Sequence, residues 1–405
     1  MAEKHDGLKF SDDVNDFQTT NNSTLWPKWI NPDTGKRSDA AHGFVHPILD
    51  TQTNLHVLVE SKVVRILFEG NKAIGVEYIA TYRVFLYRTD IRNASAEPTS
   101  KRIQARKMVV ITAGALSTPQ ILERSGIGSC ERLSSLGIST LSDLPGVGNN
   151  YTDHQIVIAA TARVEGQPDD TGDAIIRGDP ETMSRLMEEY QTTGKGALAW
   201  NFADGGAKLR PTPEEVQQMS PAFQEKWKEF FAEKPDKTLV FAGMFARYHP
   251  SFGSGLTRSF VGDPSVVPVG QYMTQVCILK YPFSRGYIHA TSSTDVNAAP
   301  DFDAGFLSHE ADVAPQVWTY KKIREIARRM PSFRGELEST HPRYAPNSAA
   351  ACISAYDPDI VDIKYDEEDD KAIEKWVREK LETSWHSSYI PSAFFSLIAI
   401  AEPLQ

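Results

Sequence analysis

The chain has 405 residues, of which 40% are hydrophobic and 24% charged, and its formal net charge is -10. That length allows a large core and two or more domains, while an acidic balance without a basic stripe excludes a nucleic-acid binder, which needs clustered Lys and Arg to displace counterions. The three cysteines, Cys130, Cys277 and Cys352, form no C-x-x-C pair, so neither a zinc knuckle nor a disulfide framework is indicated and a reducing intracellular setting fits best.

In chain order, residues 1–35 are polar and rich in Asp, Asn and Thr, and read as an irregular leading segment. From Leu55 the run "NLHVLVESKVVRILFEGNKAIGVEY" predicts β-branched strands that pair antiparallel about a turn at Glu69-Gly70-Asn71-Lys72. A polar insertion, "RTDIRNASAEPTSKR", separates this hairpin from "KMVVITAGA". Met108 to Ile111 predict a buried strand, followed by a helix with Thr118 as N-cap, Pro119 at its first position and Gly126 as its stop. A strand, a glycine turn and a helix N-terminus can hold a phosphate through backbone N–H groups and the helix dipole. By themselves these residues read equally well as an ordinary strand-to-helix junction.

Farther on, Thr212, Pro213 and Glu215 in "RPTPEEVQQM" predict a capped helix, and Phe223, Trp227, Phe230 and Phe231 fall at helical spacing as core. "YPFSRGYIHATS" predicts a strand, and Val313 to Met330 an amphipathic helix with Val317, Tyr320, Ile323 and Ala327 on one face. Asp366 to Leu381 predict a last helix, and the acidic run "YDEEDD" is explained by its position at the helix start without invoking a metal. The apolar run Ala393 to Ala401 is too short to span a membrane, which takes about 18 apolar residues.

The G-x-S-x-G elbow, the H-E-x-x-H helix, the Walker loop and the EF-hand loop do not occur. "GIGSCE" and "GVGNNY" lack both the third glycine and the preceding strand of a dinucleotide fingerprint. Ten histidines remain as acid/base candidates. His386 stands out because it follows a helix beside Trp385 and the small pair Thr383-Ser384, which suits an imidazole delivered from the end of an element. A structural role is the alternative on these residues alone.

"GALSTPQILERSGIG", Gly114 to Gly128, resembles the second signature of the glucose-methanol-choline (GMC) oxidoreductases. "LPGVGNNYTDH" resembles the segment after it, "YPFSRGYIHATS" the Ser-Arg-Gly strand and "TSWH" the approach to the catalytic histidine, in the same order and spacing. "WINPDTGKRSDAAHGFVHP", "RPTPEEVQQM", "APDFDAGF" and "KYDEEDDKAIE" are most similar to the alcohol (methanol) oxidase branch. The resemblance implies a mixed α/β (α+β) chain with part of an FAD-binding, Rossmann-like domain over 36–160. It also implies a mainly substrate-binding domain with an antiparallel sheet and helices over 161–385, the C-terminal type beginning near 280.

It implies FAD as cofactor, a primary short-chain alcohol and oxygen as substrates, aldehyde and hydrogen peroxide as products, no metal, no nucleic acid and no membrane, with homo-oligomers among complete relatives. Carried over position by position, His386 matches the catalytic histidine. Val63 matches a position whose backbone meets the adenine, Thr112, Ala113 and Gly114 match a strand end near the cofactor, and Asn150, Asp153 and His154 match a segment close to the flavin. For Asn150 to His154 a loop that satisfies backbone groups is an equal reading.

The family's opening G-x-G-x-x-G turn has no counterpart here, and residues 387–405 depart from its pattern after Trp-His, including its second His or Asn. The expectation is a chain incomplete at both ends with little activity on its own. Two alternatives stand beside it: a non-catalytic fragment without flavin, and a dehydrogenase that uses an acceptor other than oxygen. The resemblance implies a peroxisomal setting, although Pro403-Leu404-Gln405 is not an S-K-L-like ending.

Overall fold

A computed structural model describes residues 7–80, 100–167, 169–203, 205–247 and 267–389. Most of the predicted polar insertion and all of the tail from 390 onward lie outside the described residues. The chain forms two compact units, one built from residues 1–48, 154–283 and 309–385, the other from 49–153, 284–308 and 386–405. Both mix helices with sheets, as expected.

The first unit is organised on a sheet with the strand order Lys9–Ser11, Asn22–Leu25, Gly205–Leu209, Val240–Phe245, Gln271–Leu279, Gln155–Val164 and Phe333–Glu336. Leu381–Thr383 also pairs with Gln155–Val164, at its opposite end from Phe333–Glu336. All pairings are antiparallel except that between Lys9–Ser11 and Asn22–Leu25. The central strands are rich in Val, Ile and Thr, which suit a pleated, doubly covered surface. The helix Val313–Arg328 packs on this sheet, and Ala162, Met273, Ala327 and Phe333 form one buried cluster there. Tyr320, Ile323 and Ala327 are buried as predicted, and Val317 is half-buried.

Local signals explain the helix ends. Thr212 caps Pro213–Gln217 in a reciprocal box with Glu215. Asp366 does the same with Asp369 at the start of Glu367–Lys380, so the acidic run supplies a cap and favourable charges at the dipole's positive end. In Pro221–Phe230, Phe223 and Trp227 are buried, and Phe231, just past its end, stacks on Trp227 at 5.6 Å. The Arg210 guanidinium lies 4.3 Å over the Trp227 ring and donates to the Phe231 carbonyl at 2.6 Å, adding a cationic donor to the backbone bond that carbonyl accepts from Lys234 at 2.9 Å.

The second unit holds the expected hairpin, Ser61–Glu69 and Lys72–Ala80, joined by the two-residue turn Gly70-Asn71 and extended by Ser100–Gln104. A four-stranded sheet runs Asp301–Asp303, Gly286–His289, Asn149–Thr152, Ser388–Tyr389. The helix Gly114–Arg124 is anchored to the hairpin by Arg124 Nε donating to the Val64 carbonyl at 3.0 Å, and by the Ile66 amide donating to Ser125 Oγ at 2.8 Å.

The structure corrects several sequence readings. The leading segment, read as irregular, contributes the strands Lys9–Ser11 and Asn22–Leu25, because ladder hydrogen bonds override a polar composition. The run from Leu55 becomes a strand only at Ser61, leaving Val57, Leu58 and Val59 exposed. Met108 to Ile111 form no strand: Val109 and Ile111 pack inward against Ile66, Ile121, Leu122, Ile127 and Val147, while Met108 and Val110 are exposed. The helix begins five residues earlier than predicted, at Gly114, with Ala113 as N-cap and Pro119 inside it. Burial of Thr118, Pro119, Ile121 and Leu122 on that face outweighs the hydrogen bond the proline cannot make. Gly126, with φ +85, ends the helix as expected. The predicted strand in "YPFSRGYIHATS" is confined to Gly286–His289.

Candidate functional site

Asp153 and His386 are brought together in the second unit. The turn before Asn149–Thr152 passes through Gly148, whose φ is +81 and whose Cβ position lies only 2.3 Å from His289 Nδ1, so a side chain is excluded on both counts. Asn150 is exposed and takes φ +63, a left-handed conformation that asparagine tolerates better than most residues. Tyr151 is buried with its ring edge-on to Phe302 at 5.1 Å. Burial raises its hydroxyl pKa, a hydrogen bond with Ser387 opposes the rise, and the Asp153 charge adds to it.

Asp153 is only 3% exposed, and its Oδ1 accepts the backbone N–H of His386 at 3.0 Å. Immediately beyond, Ser388 and Tyr389 pair with Thr152 and Tyr151. The backbone of His386 is thus fixed by a buried carboxylate and by a sheet, while the residue itself remains exposed. An imidazole so placed can exchange a proton with a molecule reaching it from outside the unit's core.

The second group lies at the head of the helix Gly114–Arg124. Thr112, Ala113 and Gly114 are all exposed, Ala113 provides no side-chain cap, and Gly114 has φ +80. Among the described residues, no atom outside its chain neighbours and the helix's own backbone lies within 4 Å of the Gly114 Cβ position. The first-turn N–H groups lie at the positive end of an eleven-residue helix and receive no side-chain cap from Ala113. This donor set fits a cofactor with phosphate or carbonyl oxygens such as FAD.

Val63 is half-buried against the cluster that also takes Val109, Ile111 and Val147, so one core ties it to the approach to Thr112 and to the turn before Asn150. Among the described residues, none of Val63, Thr112, Ala113, Gly114 and Asn150 hydrogen-bonds to His386. His154 belongs to the first unit, where it leads into the strand Gln155–Val164.

Sequence reading missed the pair that joins the two groups. Glu123, 1% exposed, accepts from the Ala290 amide at 2.7 Å and meets His289 Nδ1 at 2.6 Å. It thereby ties the helix that follows Thr112 and Ala113 to the sheet that carries Asn150. Arg132 Nη2 bonds Asp301 at 3.0 Å, and its Nε lies 3.7 Å from Glu123, which supplies countercharge to the buried carboxylate. The available signal was the single Glu on the buried face of the signature helix, a position that periodicity assigns to an apolar residue.

Family profiles described as GMC oxidoreductase match residues 2–156 and 282–388. The chain is 38% identical to alcohol oxidase 1 of Komagataella phaffii, over 95% of its own length and 61% of that protein. It is 35% identical to the alcohol oxidase of Candida boidinii, over 94% and 60% of the two lengths. A solved formate oxidase superposes with a TM-score of 0.72 at 17% identity, covering 96% of this chain and 58% of that one. A fungal aryl-alcohol oxidase does so with a TM-score of 0.65 at 18% identity, covering 95% and 60%. The chain thus spans about three fifths of the length of the curated relatives it matches. With both family profiles matched in order on a mixed α/β fold, the chain belongs to the GMC oxidoreductases, a family of FAD-dependent enzymes acting on CH–OH donors.

Proposed function

We propose that the chain serves the FAD-dependent oxidation of a primary short-chain alcohol, methanol included, to its aldehyde, with oxygen reduced to hydrogen peroxide. The observation that carries this reading is the 38% identity to an alcohol oxidase over 95% of the chain. Residues 36–160 are assigned to the FAD-binding part and 161–385 mainly to the substrate-binding part, a division supported by the profile matches at 2–156 and 282–388. A peroxisomal setting suits a reaction that releases peroxide.

When bound, FAD supplies the hydride acceptor. The first turn after Ala113 is assigned to the polar edge of FAD, through its uncapped N–H groups and the open space over Gly114, with Val63, Thr112 and Asn150 as further contacts. His386 is assigned the proton of the alcohol hydroxyl. An alcohol is too weak an acid to ionise near neutral pH, so hydride loss is helped by a base that accepts that proton as charge develops. Asp153 positions this base by holding its backbone N–H.

The test is to purify the chain with added FAD, record the flavin absorption spectrum and assay peroxide release from short alcohols in air. Bound flavin with a low but alcohol-dependent peroxide release is the expected result. Oxidation that proceeds equally under argon with a quinone would replace the oxidase by a dehydrogenase, and failure to bind flavin would overturn the reading.

A further inference from the structure

Two consecutive charged residues in the last turn of the helix Gly114–Arg124 reach to two different sheets of the second unit. Glu123, 1% exposed, accepts from the Ala290 amide at 2.7 Å and meets His289 Nδ1 at 2.6 Å. Through His289 it reaches the turn before Asn150. The imidazole lies against Gly148, where a Cβ would come within 2.3 Å of Nδ1, and the Ile288 amide donates to the Gly148 carbonyl at 2.7 Å. Arg124, 7% exposed, sends Nε to the Val64 carbonyl at 3.0 Å, in the hairpin.

The place where Arg124 attaches is irregular. The hairpin's register shifts between Val63, opposite Tyr78, and Arg65, opposite Glu77, so Val64 has no residue across from it. A bulged residue is left out of the ladder, and the Arg124 guanidinium takes its carbonyl, immediately beside Val63. Both side chains carry charge into a buried helix face, at a desolvation cost that a helix end held by packing alone would avoid. What the charges add is direction: each fixes one backbone segment at a set distance from the helix.

We infer that Glu123 and Arg124 are positioning residues for FAD, holding the segments at Val63, at Thr112 to Gly114 and at Asn150 in one fixed arrangement. The inference rests on the proposed assignment of those segments to FAD. The helix carries the uncapped first turn at its head and both charged side chains at its foot, so loss of either arm changes the spacing between segments while leaving each segment intact. The Glu123 arm sets the Asn150 side, matched by resemblance to the flavin, and the Arg124 arm sets the Val63 side, matched to the adenine. Each acts through the backbone that it holds, not by touching the cofactor.

The test titrates the folded full chain with FAD, wild type against Glu123→Gln and Arg124→Lys, by flavin fluorescence, and records the visible circular dichroism of the bound flavin. In Glu123→Gln the new amide accepts from only one of the two donors, because its NH2 faces the other; Arg124→Lys keeps the charge and loses the Nε donor. Each is expected to raise the Kd for FAD about tenfold, and only Glu123→Gln to alter the visible band, since its arm alone reaches the flavin side. If Glu123→Gln does not fold, His289→Gln breaks the same arm and carries the same expectation. A role confined to stability lowers the urea midpoint but leaves Kd and the visible band as in wild type, and that result overturns the proposal. A band altered equally by both variants also overturns it. Wild type that takes up no FAD overturns the assignment of the segments and this inference with it, an outcome distinct from variants that bind as wild type does.

Discussion

Two histidine environments, one buried in a polar network and one exposed and proposed as a base, show how differently this fold holds the same side chain. In the first unit, His341 is 3% exposed and sits in a closed polar chain. Its Nε2 lies 3.2 Å from the Thr161 carbonyl, which can only accept, so Nε2 carries the proton and Nδ1 accepts from Tyr320 Oη at 2.9 Å. Tyr344 in turn donates to Tyr320 Oη at 3.0 Å. Beside this chain, fully buried Arg324 donates to both oxygens of Glu336, at 2.6 and 2.7 Å, and to the Ala350 carbonyl at 2.9 Å. Burial alone would raise Glu336, but the hydrogen bonds and charge of Arg324 hold its carboxyl below the usual range. In the second unit, His386 is held through its backbone and keeps its imidazole at the surface. A closed network that meets its internal hydrogen-bonding needs specifies a core, whereas a reactive group must keep a face for its substrate.

The contrast can be broken at several points. Glu336→Gln leaves the buried Arg324 charge uncompensated and should cost about 3–5 kcal/mol, read from the midpoint of urea unfolding. Acid attacks the same region through His341, whose pKa burial lowers from 6.5 to about 4. Between those values the unfolded chain binds a proton that the folded chain refuses, so stability is full above about 6.5 and falls as the pH drops towards 4. The loss from pH 7 to pH 5 should be about 2 kcal/mol, and His341→Gln should flatten that slope. Removing the cap with Thr212→Ala should cost about 1 kcal/mol. His386→Ala should change stability by less than about 0.5 kcal/mol, because the residue is exposed and its backbone bond to Asp153 does not depend on the side chain. A larger stability loss there would erase the distinction between the two histidines.

Legibility in the sequence followed the same division. The capped helix at Thr212, the acidic start of the helix near Asp366, the hairpin about Gly70-Asn71 and the stop at Gly126 were readable because their signals are local. The run at 108–111 was misread because an apolar sequence makes a strand only where neighbours complete its ladder. Gln155–Val164 has such neighbours and the 108–111 run has none among the described residues. The helix start was misplaced because Pro119 signals a first turn locally, whereas burial of Ile121 and Leu122 selects a longer helix. His386 was picked out by its context, but the bond from Asp153 joins residues 233 positions apart, beyond the reach of any periodicity. The Glu123–His289 pair is hidden for the same reason.

The most direct test of the central claim compares wild type and His386→Ala, each purified with FAD, by flavin absorption and by peroxide release from methanol. The account predicts equal flavin content and a fall in peroxide release of about 10²–10⁴-fold in the variant. Equal rates in the two proteins, or no flavin retained by the wild type, would contradict it.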